Sequence, residues 1–254
     1  MANLGLKRAV LYIIALGMFW ALGIMPCLAQ TFSTGVAPDP EVLVSQPRPS
    51  DSNYGINMEE TLVNIKAVDA PALHTANGKT AIGSEERYGQ GIIIDYDGII
   101  ATNRHVIGNA RHIYVALYAG RIVEAYVLRN SQADLCLIKV NVPFPLRAIS
   151  LADPSQIQTG IKVIAIANAG FNPQRVLGGQ VIKVFKGMSS NNVEMLEMNI
   201  PLKAGDSGGP ILNEEGSLLG LIMGKKISDP SKSYAISLNR IEQEYLDYRN
   251  SILD

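Results

Sequence analysis

The apolar residues of this chain arrive in short runs rich in valine and isoleucine, separated by Gly, Asn and Asp. That rhythm limits the fold more than any other feature. An amphipathic helix needs apolar residues every three or four positions over several turns, whereas short β-branched runs between turn formers suit strands. The pattern predicts strands at Leu62–Val68, Gly91–Asp95, Ile99–Thr102, His112–Tyr118, Ile122–Leu128 and Asp134–Val140. Turns are expected at Asp97-Gly98, Ala119-Gly120 and Asn130-Ser131. A second set is predicted at Ile161–Ile166, Gln180–Phe185, Val193–Asn199, Gly209–Asn213, Leu218–Met223 and Ser233–Ser237. Two successive groups of six short strands imply an all-β fold of two packed six-stranded antiparallel β-barrels, since closure removes exposed sheet edges.

The remaining segments frame these barrels. Met58 to Thr61 suits a helical turn, residues 69 to 88 read as a polar stretch, and Asn141 to Arg147, with two prolines, reads as a connector. At the C-terminus Leu238, Ile241, Tyr245 and Ile252 fall near helical spacing, which predicts a short terminal helix. Asn239 followed by Glu242 three residues on has the form of a capping box.

Lys7 and Arg8 precede an apolar run from Ala9 to about Met25, followed by Pro26-Cys27-Leu28-Ala29-Gln30. This is the form of a secretory signal over residues 1–29, cleaved after Ala29; an uncleaved membrane anchor is the alternative. Residues 30–56 hold Pro38, Pro40, Pro47 and Pro49 without apolar periodicity and read as a flexible tether. The expected organisation is then an N-terminal barrel over 57–145 and a C-terminal barrel with its helix over 146–254. The protein is expected in the periplasm or outside the cell, with membrane contact only if the N-terminal segment stays uncleaved.

Composition excludes several function classes. The 254 residues are 47% hydrophobic, enough for one sizeable core or two small ones, and the formal net charge is -1. With 22 basic and 23 acidic side chains and no basic block, nucleic acid is not an expected partner. After cleavage Cys136 would be the one cysteine left, so no internal disulfide can staple the fold. His74, His105 and His112 share no ligand spacing with one another or with the cysteine, so neither a metal nor another cofactor is expected.

Gly205-Asp206-Ser207-Gly208-Gly209-Pro210-Ile211 places one serine hydroxyl at the apex of a small-residue turn. That arrangement suits an acyl-transfer nucleophile, with the amides of Gly205 and Ser207 free to form an oxyanion hole. A serine nucleophile needs a base, and His105 follows the apolar strand at 99–102. The base needs a carboxylate to fix its tautomer, and Asp134 heads the apolar run Leu135-Cys136-Leu137-Ile138. Each feature alone has a plainer reading: a turn serine, a strand-initiating aspartate, a strand-end histidine. Together and in this order they point to one site.

These segments resemble the trypsin-like serine proteases, and within them the bacterial HtrA-type branch. The resemblance rests on Gly89-Gln90-Gly91-Ile92-Ile93-Ile94-Asp95, Thr102-Asn103-Arg104-His105-Val106, Asp134-Leu135, Gly205-Asp206-Ser207-Gly208-Gly209-Pro210 and Tyr234-Ala235-Ile236-Ser237. It implies a double β-barrel with the active site between the barrels and hydrolysis of polypeptide substrates. His105 would be the base, Asp134 its orienter, Ser207 the nucleophile, and the Gly205 and Ser207 amides the oxyanion hole. Leu202 and Met223 would wall the substrate pocket, favouring small or medium aliphatic side chains. Trimers are common in that branch, so an oligomer is compatible with the resemblance.

Two departures stand out. The branch usually continues into a PDZ domain, and none is expected here. It also usually carries asparagine where this chain has Asp206, which implies a counter-charge; Lys203, Lys225 or backbone donors are the expected partners. The resemblance implies an exported serine endopeptidase acting on unfolded or extended chains. A binding or chaperone-like protein on the same scaffold, or a protease that processes its own tether, are the rivals.

Overall fold

The computed structural model describes residues 58–76, 79–168, 174–187 and 193–252. The expected signal and tether lie outside them. The chain begins with α1 (Met58–Thr61) and β1 (Leu62–Val68), then the hairpin β2 (Ala72–Ala76) and β3 (Lys79–Gly83). β4 (Glu86–Asp95), β5 (Ile99–Asn103), α2 (Arg104–Ile107), β6 (His112–Ala116), β7 (Ile122–Asn130) and β8 (Leu135–Val140) follow. The second half holds β9 (Lys162–Ala167), β10 (Arg175–Lys186), β11 (Glu194–Met198), β12 (Pro210–Leu212), β13 (Leu218–Lys225), β14 (Ser233–Ser237) and α3 (Leu238–Ser251).

The strands close into two barrels. The first has the order β1-β4-β5-β8-β7-β6 and the second β10-β11-β14-β13-β12-β9. Every ladder within them is antiparallel. The all-β double barrel and its terminal helix are therefore as the apolar rhythm predicts.

Alternation explains the consecutive apolar residues Ile92–Ile94 of β4, Ile99–Ala101 of β5 and Leu135–Ile138 of β8. Ile93, Ile100, Cys136 and Ile138 point into the first barrel with Ile65 and Val115. Their neighbours Ile92, Ile99, Leu135 and Leu137 point the other way and join Val163, Ile166, Leu196, Leu221 and Ile236 of the second barrel in one buried cluster. Successive strand residues face opposite sides, so a strand buried on both must be apolar at every position. The seam between the barrels is thus a core of its own, and it fixes where the ends of β5 and β8 stand. Burial also pushes the Cys136 thiol up to about 12, which leaves a packing residue rather than a reactive one.

α3 ties the barrels together from outside. Leu238 and Ile241 are buried against the second barrel. Glu244, only 2% exposed, accepts from Arg129 of β7 and from Arg240, and the Tyr245 hydroxyl donates to Asp95 of β4. Burial by itself raises the Glu244 carboxyl. Hydrogen bonds from Ser131 and Arg129 and the nearby guanidinium charges outweigh it and hold the carboxyl below its ordinary range.

Three local expectations are corrected. Residues 69 to 88 are not a plain polar stretch: they contain the β2–β3 hairpin and the first three residues of β4. β10 starts at Arg175, five residues before Gln180, because Val176 to Gly179 pair with β9. The capping box at Asn239 does not form. The N-cap is Ser237, and Asn239 lies inside the helix. The Asn239 Nδ2 and the Ser237 hydroxyl both donate to Glu194 Oε1, at 2.7 and 2.6 Å, so an acceptor on β11 replaces the helix's own backbone.

Candidate active site

β5 runs out of the first barrel's seam into α2, a single helical turn. A helix start leaves backbone N–H groups without intrahelical acceptors. Asp134, in the turn before β8, supplies them. Its carbonyl accepts the Arg104 N–H at 2.9 Å and the Asn103 Nδ2 at 3.3 Å, and its Oδ1 accepts the His105 N–H at 3.0 Å. Its Oδ2 lies 2.7 Å from His105 Nδ1. A carboxylate accepts and does not donate, so Nδ1 carries the proton and Nε2 is left as the acceptor. Asp134 reaches this position with a φ of 58°, a left-handed conformation that aspartate tolerates better than most residues.

Ser207 lies where the second barrel meets this loop. Its carbonyl accepts the Gln90 N–H of β4 at 2.8 Å. Gln90 in turn accepts the Thr102 hydroxyl at its carbonyl, 2.6 Å, and the Asn168 N–H at its side-chain Oε1, 3.0 Å. Gln90 therefore holds the serine segment, the strand leading to His105 and the end of β9 at once. Two glycines permit the approach. A Cβ at Gly208, whose φ is 83°, would sit 1.9 Å from the Gln90 carbonyl oxygen. A Cβ at Gly89 would meet the Val106 side chain at 2.6 Å and the Ser207 carbonyl at 3.1 Å. The side chain of Val106, the residue after His105, and the Ser207 carbonyl thus both crowd Gly89.

The Ser207 hydroxyl donates to the Met223 carbonyl at 3.2 Å. Among the described residues it makes no hydrogen bond to His105. Resting sites commonly hold their proton-transfer bonds long or misaligned until substrate arrives. The turn before the serine is closed by reciprocal bonds: the Asp206 N–H donates to the Lys203 carbonyl at 3.2 Å, and the Lys203 N–H to Asp206 Oδ2 at 2.7 Å. Gly205 sits in that turn with a φ of 91°. Among the described residues no protein acceptor is bonded to the N–H of Gly205 or of Ser207. Amides without an internal acceptor are donors that an oxygen gaining negative charge could use.

Asp206 is 0% exposed, and its counter-charge is Arg175, the first residue of β10, not Lys203 or Lys225. Arg175 Nη2 donates to Oδ1 at 2.7 Å and to Oδ2 at 2.6 Å. The expected backbone donor is present as the Lys203 N–H. Arg175 and Gln90 are the two supporting residues that sequence reasoning passed over. Arg175 lies 31 residues from its partner, and nothing in local spacing links them. Gln90 did carry a signal, as a polar residue between two glycines just before an apolar run.

The other expected residues fall as follows. Leu202 is 3% exposed, inside the second barrel's apolar cluster, and Met223 is half-buried at its margin with its carbonyl on Ser207. His112 is a surface residue of β6, 2.8 Å from Glu124, and His74 lies on β2. Among the described residues no helix is long and apolar enough to cross a membrane.

Comparison with known proteins supplies the family. The family model of the trypsin-like peptidase domain matches residues 89–221, just over half of the chain and the stretch that holds His105, Asp134 and Ser207. Putative protease Do-like 14 of Arabidopsis thaliana is 28% identical over 82% of this chain and 52% of its own. The periplasmic serine endoprotease DegP of Escherichia coli strain K12 is 31% identical over 60% of this chain and 34% of its own. The chain thus spans about half the length of the first relative and about a third of the second. Among solved structures, the HtrA-type protease AlgW with a decapeptide overlays with a TM-score of 0.62 at 21% identity, covering 76% of this chain and 65% of that one, a likeness of fold. Motif order, barrel topology and family match converge: the chain belongs to the trypsin-like peptidase domain family.

Proposed function

We propose that the protein is an exported serine endopeptidase that cleaves unfolded or extended polypeptides through an acyl-enzyme. One observation carries the reading. Asp134 grips His105 by both the backbone N–H and Nδ1, beside a serine turn whose two amides have no acceptor among the described residues.

In this reading His105 Nε2 takes the proton of the Ser207 hydroxyl as Oγ bonds to the substrate carbonyl carbon. The carbonyl's electron pair moves onto its oxygen, held by the Gly205 and Ser207 amides. Asp134 stabilises the imidazolium that forms. The intermediate collapses, the C–N bond breaks, and Nε2 returns the proton to the departing amine. Water then repeats the sequence on the ester and frees Ser207. Each oxyanion donor contributes about 10²–10³-fold to such a rate.

Leu202 and Met223 are assigned to the pocket wall, where an apolar lining with no acid favours valine, alanine or leucine before the cleaved bond. An extended substrate would add main-chain hydrogen bonds that depend little on sequence, which suits unfolded chains. Export rests on the charged and apolar N-terminal segment, cleaved after Ala29. Nucleic acid and cofactors have no part in the proposal.

One mass-spectrometric experiment tests the assignment. The exported protein is purified and given a reduced, carboxymethylated substrate and the same substrate folded. Expected are a mature N-terminus at Gln30, rapid cleavage of the unfolded form, and cuts after small or medium aliphatic residues. Cleavage confined to arginine and lysine would refute the pocket, and an intact Met1 would refute signal removal.

A further inference from the structure

We propose that Lys225 is a specificity-determining residue that selects an acidic side chain at the third residue before the cleaved bond; the inference rests on the serine-protease reading of the site. β13 has neighbours on both sides as far as Ile222. On the β12 side the Ile222 N–H donates to the Gly209 carbonyl at 2.8 Å, and the Ile222 carbonyl accepts the Gly208 N–H at 2.9 Å. Beyond Ile222 the strand keeps β14 beside it, with Gly224 opposite Tyr234 and Lys225 opposite Ser233. Among the described residues no strand pairs with its other side there. That open edge starts at the nucleophile, because the Met223 carbonyl is the one that accepts the Ser207 hydroxyl.

The register fixes which backbone groups face the edge. Ile222 pairs with Ala235 and Gly224 with Tyr234, so Met223 is an extra residue, a bulge whose carbonyl turns to Ser207. From there the backbone polar groups alternate. Those of Gly224 face β14, those of Lys225 the open edge, and those of Lys226 β14 again, where the Lys226 N–H donates to the Lys232 carbonyl at 2.8 Å. An extended substrate whose residue at the cleaved bond donates its N–H to the Met223 carbonyl therefore meets Lys225 two residues earlier, about 7 Å along the strand.

Residues directly opposite in an antiparallel pair carry their side chains on one face, with Cβ atoms about 5 Å apart. The substrate side chain opposite Lys225 would stand beside the lysine stem. Lys225 is exposed, and among the described residues its ammonium has no ion pair. The acids around it are matched elsewhere. Glu197 of β11 holds Lys226 at 2.8 Å, Asp229 in the β13–β14 turn holds Lys232 at 3.1 Å, and Asp206 is taken by Arg175. Ser233, the neighbour directly across on β14, is uncharged. A free cation thus flanks the open edge, and a carboxylate carried in by the substrate is the group that would match it.

The test uses three peptides with valine before the cleaved bond and glutamate, glutamine or lysine as the third residue before it. They are given at low salt to wild type, Lys225→Met and Lys225→Glu, each shown to be folded by its thermal transition. Wild type is expected to cleave the glutamate peptide with kcat/KM about threefold above the glutamine peptide and the lysine peptide about threefold below it, the scale of one cross-strand charge pair. Raised salt should erase the difference. Lys225→Met should cleave the three alike, and Lys225→Glu should prefer lysine. Indifference of the wild type to this position, a glutamate preference that survives in Lys225→Met, or no reversal in Lys225→Glu would overturn the proposal. Binding of the same peptides to folded Ser207→Ala, followed by fluorescence anisotropy, gives a readout apart from turnover, and the glutamate peptide should bind about threefold more tightly than glutamine. Should wild type cleave none of the peptides, the serine-protease reading fails, and equal Kd values for the three would reject the role of Lys225 on its own.

Discussion

Replacement of Ser207 by alanine is expected to lower kcat on a peptide substrate about 10⁶-fold while leaving the fold in place. The hydroxyl contributes almost nothing to packing. Among the described residues its one hydrogen bond is to the Met223 carbonyl, so an alanine methyl fits the same space. Every covalent step of the proposed reaction passes through that oxygen. What survives is the transition-state binding that the Gly205 and Ser207 amides offer to a water attack, about 10³–10⁴-fold over the uncatalysed rate. A variant that retained a tenth of wild-type turnover in a preparation free of contaminating protease would contradict the nucleophile assignment.

Asp134→Asn is expected to lower kcat about 10⁴-fold, a large loss from the exchange of one oxygen for an NH₂ group. The carboxylate does two jobs in this structure. It accepts the His105 N–H, which fixes the first turn of α2, and it accepts from Nδ1, which leaves Nε2 free of a proton. Asparagine can keep the first bond through its carbonyl oxygen. It would then present an NH₂ to Nδ1, and the ring would settle in the other tautomer with Nε2 protonated and unable to act as a base. The backbone bonds from Arg104 and Asn103 to the residue's own carbonyl survive the change, so stability should alter little. Activity of the variant should recover at alkaline pH, where a base other than Nε2 can take the serine proton. A loss of folding in step with activity would instead mark Asp134 as a cap for α2 alone.

Much of this arrangement was legible from local sequence, and the reason is physical. Strand period is a nearest-neighbour property, so runs such as Leu62–Val68 and Ser233–Ser237 declare themselves without knowledge of their partners. His105, Asp134 and Ser207 each stand at the end of such a run, where a barrel must turn and a side chain can face a groove. The features that stayed hidden depend on partners far along the chain. Arg175 looks like any surface arginine until β10 delivers it to Asp206. The early residues of β10 are obscured by Gly178 and Gly179, and their pairing with β9 is what makes them a strand. Asn239 does not cap the helix because its side chain goes to Glu194 of β11, far back along the chain. The β2–β3 hairpin is a different case. Asn77-Gly78 between two alternating segments is a local turn signal that was present and passed over.

The same contrast separates the residues that would do chemistry from those that would hold them. A serine in a glycine turn or a histidine after an apolar strand is recognisable because its own neighbours are constrained. Gln90 and Arg175 are constrained by the other barrel or the other side of the turn, and their partners come from the fold.

The account stands or falls on whether His105, Asp134 and Ser207 act as one nucleophilic unit, and reaction with a fluorophosphonate tests this most directly. The native protein should take up one equivalent, with the phosphorus adduct mapped to Ser207 and uptake abolished by unfolding or by His105→Gln. A folded wild-type protein that remains unlabelled, or one labelled equally fast without His105, would contradict it.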